Sequence, residues 1–476
     1  MNMPKIKLGV LPTVREIFSF PAAIEYKEKI YEALKAFDCE VVDIEDCAPN
    51  GVLNFNMHRE AYAVIEKFKK AGIDAIFAPH CSFGAEDQTA QICRALNVPV
   101  LLYGPRDEGP DATGMRLRDS QCGLFATGKV LRRHDVPFSY MTNCAVESDL
   151  FKATVDKFLR VAAVVKVARN IRVLQIGPRP NEFLSVMVNE SELLEKFNVR
   201  VFPIPLPELE EKVLKRAKED DEAMQKACAY FRGNFKGQGG SDEEVIRKFA
   251  ALKVTILDYA EEFNCNCAAI MCWDAFSVPL GIVPCAVNAM LSEEGFPGSC
   301  ETDILASISA LMLQAATGNT LPHFLADVTI RHPEDDNTEL LWHCGPFPKA
   351  FAENPDDCLI RNSWTGAPSC GNCYWECKKG PVTVCRFDGD HGEYSLFIGE
   401  GESVKGPKSM GTYVWFKVDD WAKWEHKLVQ GPYIHHVAGT YMHVADVLYE
   451  ACRYIPGLKP DPASPSAEEL EKSWRG

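Results

Sequence analysis

From Gly281 to Asp327 the chain reads GIVPCAVNAMLSEEGFPGSCETDILASISALMLQAATGNTLPHFLAD, and this stretch constrains the fold more than any other. A turn marked by Gly295, Pro297 and Gly298 leads to two acids, Glu301 and Asp303, at the head of a helical run from Ile304 to Ala316 that is largely apolar on every face. Such a helix has to be buried. The strand that follows ends on a further acid, Asp327. A carboxylate at the mouth of a buried helix and another at a strand end can face one cavity while rigid elements hold both. Acids held in that way serve metal binding, proton transfer, or both.

The rest of the chain supplies the frame. KIKLGVL (5–11), EVVDI (40–44), DAIFAP (74–79) and PVLLY (99–103) are short β-type runs, separated by helical patterns such as EYKEKIYEALKAF and MHREAYAVIEKFKKAG. That alternation predicts a parallel sheet in βα units, with ligand-collecting loops at the strand ends. No GxGxxG follows the first strand, so a dinucleotide site lacks its fingerprint. A long helical segment to about Asn170 leads into a second α/β unit: strand 171–176, helix 181–197, strand 199–204, acidic helix 207–231, helix 242–263 and strand 267–273. TIRHPEDDNTELLWHCGPFP then reads as a hairpin with an acidic tip at Asp335 and Asp336. Beyond Pro346 short alternating strands with turn signals predict a smaller β-rich, barrel-like domain, and the Pro-rich tail from Lys459 a surface extension. The fold class is therefore α/β: two flavodoxin- or Rossmann-like parallel-sheet domains over 1–168 and 169–346, then a β-rich domain over 347–476.

Composition excludes several functions. With 476 residues, 46% of them apolar, the chain has enough interior for more than one core. A formal charge of -16 opposes the basic face that nucleic acids require. The N-terminus lacks a long hydrophobic core and no apolar run reaches the length of a membrane span, which predicts a cytoplasmic protein with no membrane partner. In that setting the nineteen cysteines are expected to be reduced.

PCAVNAMLSEEGFPGSCETDILASISALMLQAATG, together with the upstream QIGPRPNEFLSVMVNESELLEKF, resembles the L-fucose/L-arabinose isomerase superfamily, metal-dependent enzymes that interconvert aldoses and ketoses. The resemblance is densest from about Arg172 to Pro346. It implies a metal site that takes an acid from the CETD segment, Glu301, an acid from the following strand, Asp327, and a C-terminal histidine, His436 in GPYIHHVAG. Adjacent His435 competes for that role, since neighbours on an extended strand point to opposite faces. His343 in LLWHCGP matches a further family histidine and is assigned to substrate or to an alternative ligand position. Two carboxylates, one imidazole and open positions favour Mn²⁺, with Mg²⁺ or Co²⁺ also suited.

What the resemblance implies is a ketol isomerase working through a cis-enediol, in which a divalent cation polarises the carbonyl and a carboxylate shuttles the proton. Glu301 and Asp327 are both candidates for the shuttle. The sugar is expected to be a pentose or 6-deoxyhexose of the L-fucose, L-arabinose or D-arabinose type. The alternatives are an anionic hexose such as sulfoquinovose, bound through Arg15, Arg106, Arg116, Arg118 or Arg179, or a non-catalytic sugar-binding protein. Cys81 in HCSFG stands where fucose-type enzymes carry a Trp, a departure that counts against L-fucose. Arg15 resembles an arginine that reaches the sugar of a neighbouring subunit, and implies a homo-oligomer, trimer or hexamer, with shared active sites. Trp273 and Asp274 close the predicted strand CAAIMCW and are candidates to line the pocket.

Two cysteine- and glycine-rich segments have a bland reading beside a functional one. Cys370, Cys373 and Cys377 form CxxCxxxC, with Cys385 nearby, which can be a zinc set or a redox pair but lacks a second CxxC. FRGNFKGQGGSDEE can be a phosphate loop, yet it has no lysine where a phosphate would need one and reads better as a connector in which Ser241 caps a helix.

Overall fold

The computed structural model describes residues 5–363 and 369–475, apart from the side chain of residue 274. The chain folds into two compact units. One runs up to Lys166 and takes in Tyr449–Tyr454 and Glu468–Gly476; the other is Val167–Leu448 with Ile455–Ala467.

The N-terminal unit is built on a five-stranded sheet in the order Cys39–Val42, Ile6–Val10, Ala75–Pro79, Val100–Tyr103, Ser139–Tyr140, parallel throughout. This is the doubly wound order of flavodoxin-like folds. The inner strands are buried on both faces, which is why they read as continuous apolar runs rather than alternating ones. The C-terminal helix Ala467–Arg475 belongs to this unit: it buries Leu470 and Trp474, and Thr142 donates to its Arg475 carbonyl at 2.7 Å.

The second unit holds two sheets. Arg200–Ile204, Arg172–Ile176, Cys267–Ile270 and Gly298–Ser299 form a four-stranded parallel sheet in that order. The larger sheet has nine strands of mixed direction. Within it the strand Thr412–Lys417 pairs both with Asp335–His343 and with Glu393–Val404. That double pairing closes six strands on themselves: Thr412–Lys417, Asp335–His343, Phe324–His332, His436–Thr440, Gly380–Asp390 and Glu393–Val404. The β-rich segment is thus barrel-like, as its turn-separated alternation predicts. Two of the six strands precede residue 347, so the barrel draws on sequence from both sides of that position.

The helix Ile304–Ala316 packs against Cys267–Ile270 of the parallel sheet and against Gly380–Asp390 and His436–Thr440 of the barrel. All of its residues are buried. The serines in this apolar run bond the backbones the helix touches. Ser307 donates to the Ala268 carbonyl at 2.6 Å, and Ser309 accepts from the Phe387 amide at 2.8 Å. Polar groups buried here are therefore paired, as a dry interior requires.

At several points the local structure departs from the sequence reading. The acidic helix expected over 207–231 is two helices, Leu206–Arg216 and Glu222–Phe231, because Asp221 caps the second through the Met224 amide. Asp242 rather than Ser241 caps the helix Glu243–Glu262; its carboxylate reaches two amides, while the Ser241 hydroxyl bonds back to Gly237. The turn between Phe324–His332 and Asp335–His343 is Pro333 and Glu334, so Asp335 opens the second strand. The tail is no loose extension: Leu458–Ser464 adds a parallel edge strand to Glu393–Val404. Its prolines are tolerated because an edge strand leaves one row of amides unpaired. Among the described residues no helix is long and apolar enough to cross a membrane.

Leu313 is fully buried in the helix shared by the two sheets. Leu313→Ala should lower unfolding stability by about 2–5 kcal/mol, read as a fall in the urea midpoint at constant slope. A midpoint within error of the parent would show that this helix is not part of the core.

Candidate active site and metal centre

The parallel sheet and the barrel each deliver part of one site. Three loops of the parallel sheet leave from the carboxyl ends of their strands, where open α/β sheets collect ligands. The first carries Pro178 to Phe183, the second Cys272 and Trp273, the third Cys300 to Asp303. Glu301 and Thr302 both have left-handed backbones, with φ of 54° and 55°. That conformation is costly for a β-branched threonine. The surroundings hold it: the Thr302 amide donates to Ile270, its hydroxyl to Pro178 at 3.0 Å, and the Glu301 amide to the Cys272 sulfur. The bend turns Glu301 into the site and leaves Asp303 at the helix N-terminus.

The barrel supplies the rest by register. Asp327 sits directly across from His436 on one side and from Trp342 on the other, so His343 lies one residue further along. The Nε2 atom of His436 is 3.4 Å from Asp327 Oδ1 and 4.0 Å from Glu301 Oε2. His343 Nε2 is 3.8 Å and 3.7 Å from the same two oxygens. Both oxygens are buried and lack a hydrogen-bond partner. Two orphaned carboxylate oxygens facing two imidazole nitrogens form a set that a divalent cation satisfies.

The imidazoles are held differently. His436 Nδ1 donates to Asp303 Oδ2 at 2.7 Å, which leaves Nε2 to face the acids. This is the arrangement by which a carboxylate orients a ligating histidine. The same Asp303 oxygen accepts from Arg386 at 2.5 Å, Arg386 donates on to Asp388 at 2.7 Å, and the other Asp303 oxygen caps the helix through the Ala306 amide. His343 Nδ1 instead accepts from the Cys344 amide at 2.9 Å, so in the neutral ring its proton sits on Nε2 and points at the acids. His436 is thereby presented as a ligand and His343 as a donor.

Charge follows this geometry. Burial alone raises the Glu301 carboxyl, but the nearby His343 imidazole, helped by His436 and Cys272, brings it down to about 2. Burial likewise opposes ionisation of Asp303, and Arg386 and His436 overturn it, holding the group far below the carboxylate range. Trp273 begins the helix Trp273–Leu280 rather than closing a strand, which ends at Ile270. The residue is 45% exposed and its Nε1 donates to Glu301 Oε1 at 3.1 Å, so it lies against that acid and not in the core. Asp274 has its side chain outside the described residues. Phe183 closes the group, 5.5 Å from His436, 5.6 Å from His435 and 5.7 Å from Trp273 between ring centres.

Alternation does not separate His435 from His436. The regular strand starts at His436, and the ligand atoms of Asp327, His435 and His436 lie within 4.8 Å of one another. Arg15 belongs to the N-terminal unit, where it pairs with Glu86 at 2.9 Å and lies 3.9 Å over the Phe83 ring of the HCSFG loop. Arg118 is fully buried against Glu108 and Asp107, and Arg116 pairs with Asp119. None of Cys370, Cys373, Cys377 and Cys385 joins a group of three potential ligands among the described residues. The linked roles of Asp303, Arg386 and Asp388 escape the sequence reading. An aspartate just before an apolar helix is an N-cap signal, and charges at i and i+2 of an apolar strand share one face, so both signals are present in the chain.

Two family models match the chain: "Fucose/sulfoquinovose isomerase, N-terminal domain" over residues 9–169 and "L-fucose isomerase, C-terminal domain" over residues 341–457. Together they take in more than half of the sequence. Among curated proteins, a sulfoquinovose isomerase of Priestia aryabhattai is 25% identical over 402 residues, 83% of this chain and 84% of its own. Another from Alkalicoccus urumqiensis is 24% identical over 338 residues, 70% of this chain and 73% of its own. A solved glycosyltransferase, SnogD from Streptomyces nogalater, aligns at a TM-score of 0.17 and 13% identity over 55% of this chain and 96% of its own, too weak a likeness to carry an argument.

Burial lowers the His436 imidazole, but its hydrogen bond to Asp303 and the charges of Asp303, Asp327 and Glu301 outweigh that and hold it above its usual value. A ligating nitrogen must give up its proton, so lowering the pH through this raised value should weaken cation binding. Titration calorimetry with Mn²⁺ should show affinity falling with a midpoint above the roughly 6.5 of a free histidine. Affinity that stays level from about pH 8 to 5 would exclude His436 as a ligand.

Proposed function

We propose, from the premise that this chain belongs to the L-fucose isomerase superfamily and is an aldose–ketose isomerase, that its substrate is an anionic hexose of the sulfoquinovose kind. This replaces the pentose or 6-deoxyhexose reading as the better supported one. The relatives named above are called sulfoquinovose isomerases, and one arginine here suits a sulfonate. Arg179 lies in the loop that brings Phe183 against the site histidines. Among the described residues its guanidinium bonds the backbone carbonyls of Pro180 and Asn181 and no carboxylate. A cation without an acid partner at the rim of a sugar site is what a sulfonate needs.

We assign the cation to Glu301 Oε2, Asp327 Oδ1 and His436 Nε2, with Mn²⁺ the ion favoured by this oxygen-rich set and Mg²⁺ or Co²⁺ also suited. Bound there, it would supply Lewis-acid chemistry, drawing electron density from the sugar carbonyl and offsetting the charge that develops on its oxygens. The neighbours of Glu301 favour its ionised form, and Trp273 and Cys272 hold its second oxygen. Asp327 is the more accessible acid, with a side chain 21% exposed against 10% for Glu301. We therefore assign the proton shuttle to Asp327. It removes the proton from C2, the C–H electron pair becomes the C1–C2 double bond and the C1 carbonyl pair moves to O1; the proton then returns to C1 as the C2 hydroxyl passes its own proton to O1 and becomes the ketone. His343 Nε2–H donates toward the reacting oxygens, and Phe183 and Trp273 exclude water from one side of the sugar.

The N-terminal unit also exposes Ile17, Phe20, Phe55 and Met115, apolar side chains that a subunit interface would cover. We assign them to a closed ring, a trimer or paired trimers, in which Arg15 serves a neighbouring subunit's site. Mn²⁺ and the oligomer both stand on this proposal.

Arg179→Ala should raise KM for sulfoquinovose by about ten- to a hundred-fold with kcat nearly kept, and should leave KM for an uncharged 6-deoxyhexose little changed. An equal effect on both sugars would remove the sulfonate role. For assembly, inactive Glu301→Gln and Arg15→Ala chains refolded together should recover part of the activity, because some sites then receive two intact halves. Verified mixed oligomers without recovery, or a monomer by sedimentation, would refute shared sites.

A further inference from the structure

Beside His343 lies a group of thiols that the isomerase chemistry does not use, one of which, Cys300, is also within 4.8 Å of a Glu301 oxygen. Cys344 Sγ is 3.0 Å from Cys285 Sγ and 3.1 Å from His343 Nδ1. Cys300 Sγ, Cys344 Sγ and the His343 ligand atom lie within 4.8 Å of one another. Cys285 and Cys300 are buried and Cys344 is partly buried. These residues come from three separate places in the chain: the start of the helix Cys285–Glu293, the loop before Glu301, and the adjacent positions 343 and 344 at the end of a barrel strand.

We propose that Cys285, Cys300, Cys344 and His343 Nδ1 form a second cation site, distinct in chemistry from the oxygen-rich one, that takes a thiophilic divalent ion of the zinc class.

Three observations support it. In a tetrahedral site with Zn–S of about 2.3 Å, neighbouring sulfurs stand roughly 3.8 Å apart, so the 3.0 Å Cys285–Cys344 pair has to open by about an ångström, while Cys285, outside the 4.8 Å group of Cys300, Cys344 and His343, has to turn toward it. Amide donors already face the sulfurs: Asn372 Nδ2 donates to Cys285 at 3.3 Å and Asn288 Nδ2 to Cys300 at 3.5 Å, contacts that favour thiolates and orient ligands. The amide oxygens of both asparagines are buried without a partner, so these side chains are held through their nitrogens, Asn288 by the Cys300 sulfur and Asn372 by the Cys285 sulfur and the Cys344 carbonyl. Finally, Gly345 has φ of 156°, and a Cβ there would come within 2.8 Å of Cys285 Cβ. A glycine is what lets the Cys344 backbone approach Cys285 so closely.

Binding would release the thiol protons to solvent and replace the Cys344 amide contact at Nδ1. With Nδ1 ligated, the proton of His343 is fixed on Nε2, facing Glu301 and Asp327. The second ion would thus keep, at a residue of the first site, the tautomer that the Cys344 amide already favours, without entering the reaction.

The test uses the full-length reduced protein loaded with Mn²⁺ and titrated with Cd²⁺ as probe. Expected is an ultraviolet cadmium–thiolate band that saturates at one Cd²⁺ per chain while the manganese resonance signal shows Mn²⁺ still bound. Cys285→Ser and Cys344→Ser should each weaken Cd²⁺ binding on the order of ten- to a hundred-fold. Cys228→Ser, in the helix Glu222–Phe231 outside the group, should not. Should a variant misfold, cadmium NMR of the parent decides, since a sulfur-rich shift supports the site and an oxygen-ligand shift overturns it. Absence of the band, displacement of Mn²⁺ in its place, or a Cys285–Cys344 disulfide forming with no Cd²⁺ uptake also overturns it.

Discussion

The Asp303 carboxylate is the group on which the site depends. One oxygen terminates the buried helix, and the other holds Arg386 and His436 together. A fully buried charge survives only when partners replace the water it has lost, and removing one partner of such a set typically costs about 3–5 kcal/mol. Three things are fixed by this single group: where the helix starts, where the barrel strand Gly380–Asp390 lies against it, and which nitrogen of His436 turns toward the acids. Asp388 completes the set by taking the second face of Arg386.

Beside it, the left-handed pair Glu301 and Thr302 stores strain of about 1–3 kcal/mol per residue. The hydrogen bonds from Thr302 to Ile270 and Pro178 hold that strain in place. In a relaxed backbone the Glu301 side chain would not follow the sheet edge toward Asp327. The site is therefore preorganised by backbone geometry on one side and by strand register on the other, before any sugar arrives.

Much of this was legible in the sequence, for identifiable reasons. The apolar run with acids at its head required a buried helix, and the strand–helix alternation required parallel sheets. The family resemblance, read from the central segment, pointed to Glu301, Asp327 and His436, which the fold brings together. The family models match the flanks of that segment instead. What stayed hidden depends on distant pairing. Arg386 lies 83 residues from Asp303 in sequence, and no local pattern announces their contact. Spacing points to thiols in CxxCxxxC, whereas Cys344 meets Cys285 and Cys300 only through tertiary packing. The strand predicted to reach Trp273 stops at Ile270, since hydrophobicity alone does not separate a buried strand from the first turn of a helix.

The closure of six barrel strands has a further meaning for how this protein can change. In an open sheet an insertion can be absorbed by sliding one edge. In a ring a slide of one strand has to be passed to every other, and a slip of one residue would send Asp327 and His436 to opposite faces. Variation is thus expelled from the walls into the loops at the rim, and sugar preference can drift there while the facing geometry of Asp327 and His436 is inherited as a block.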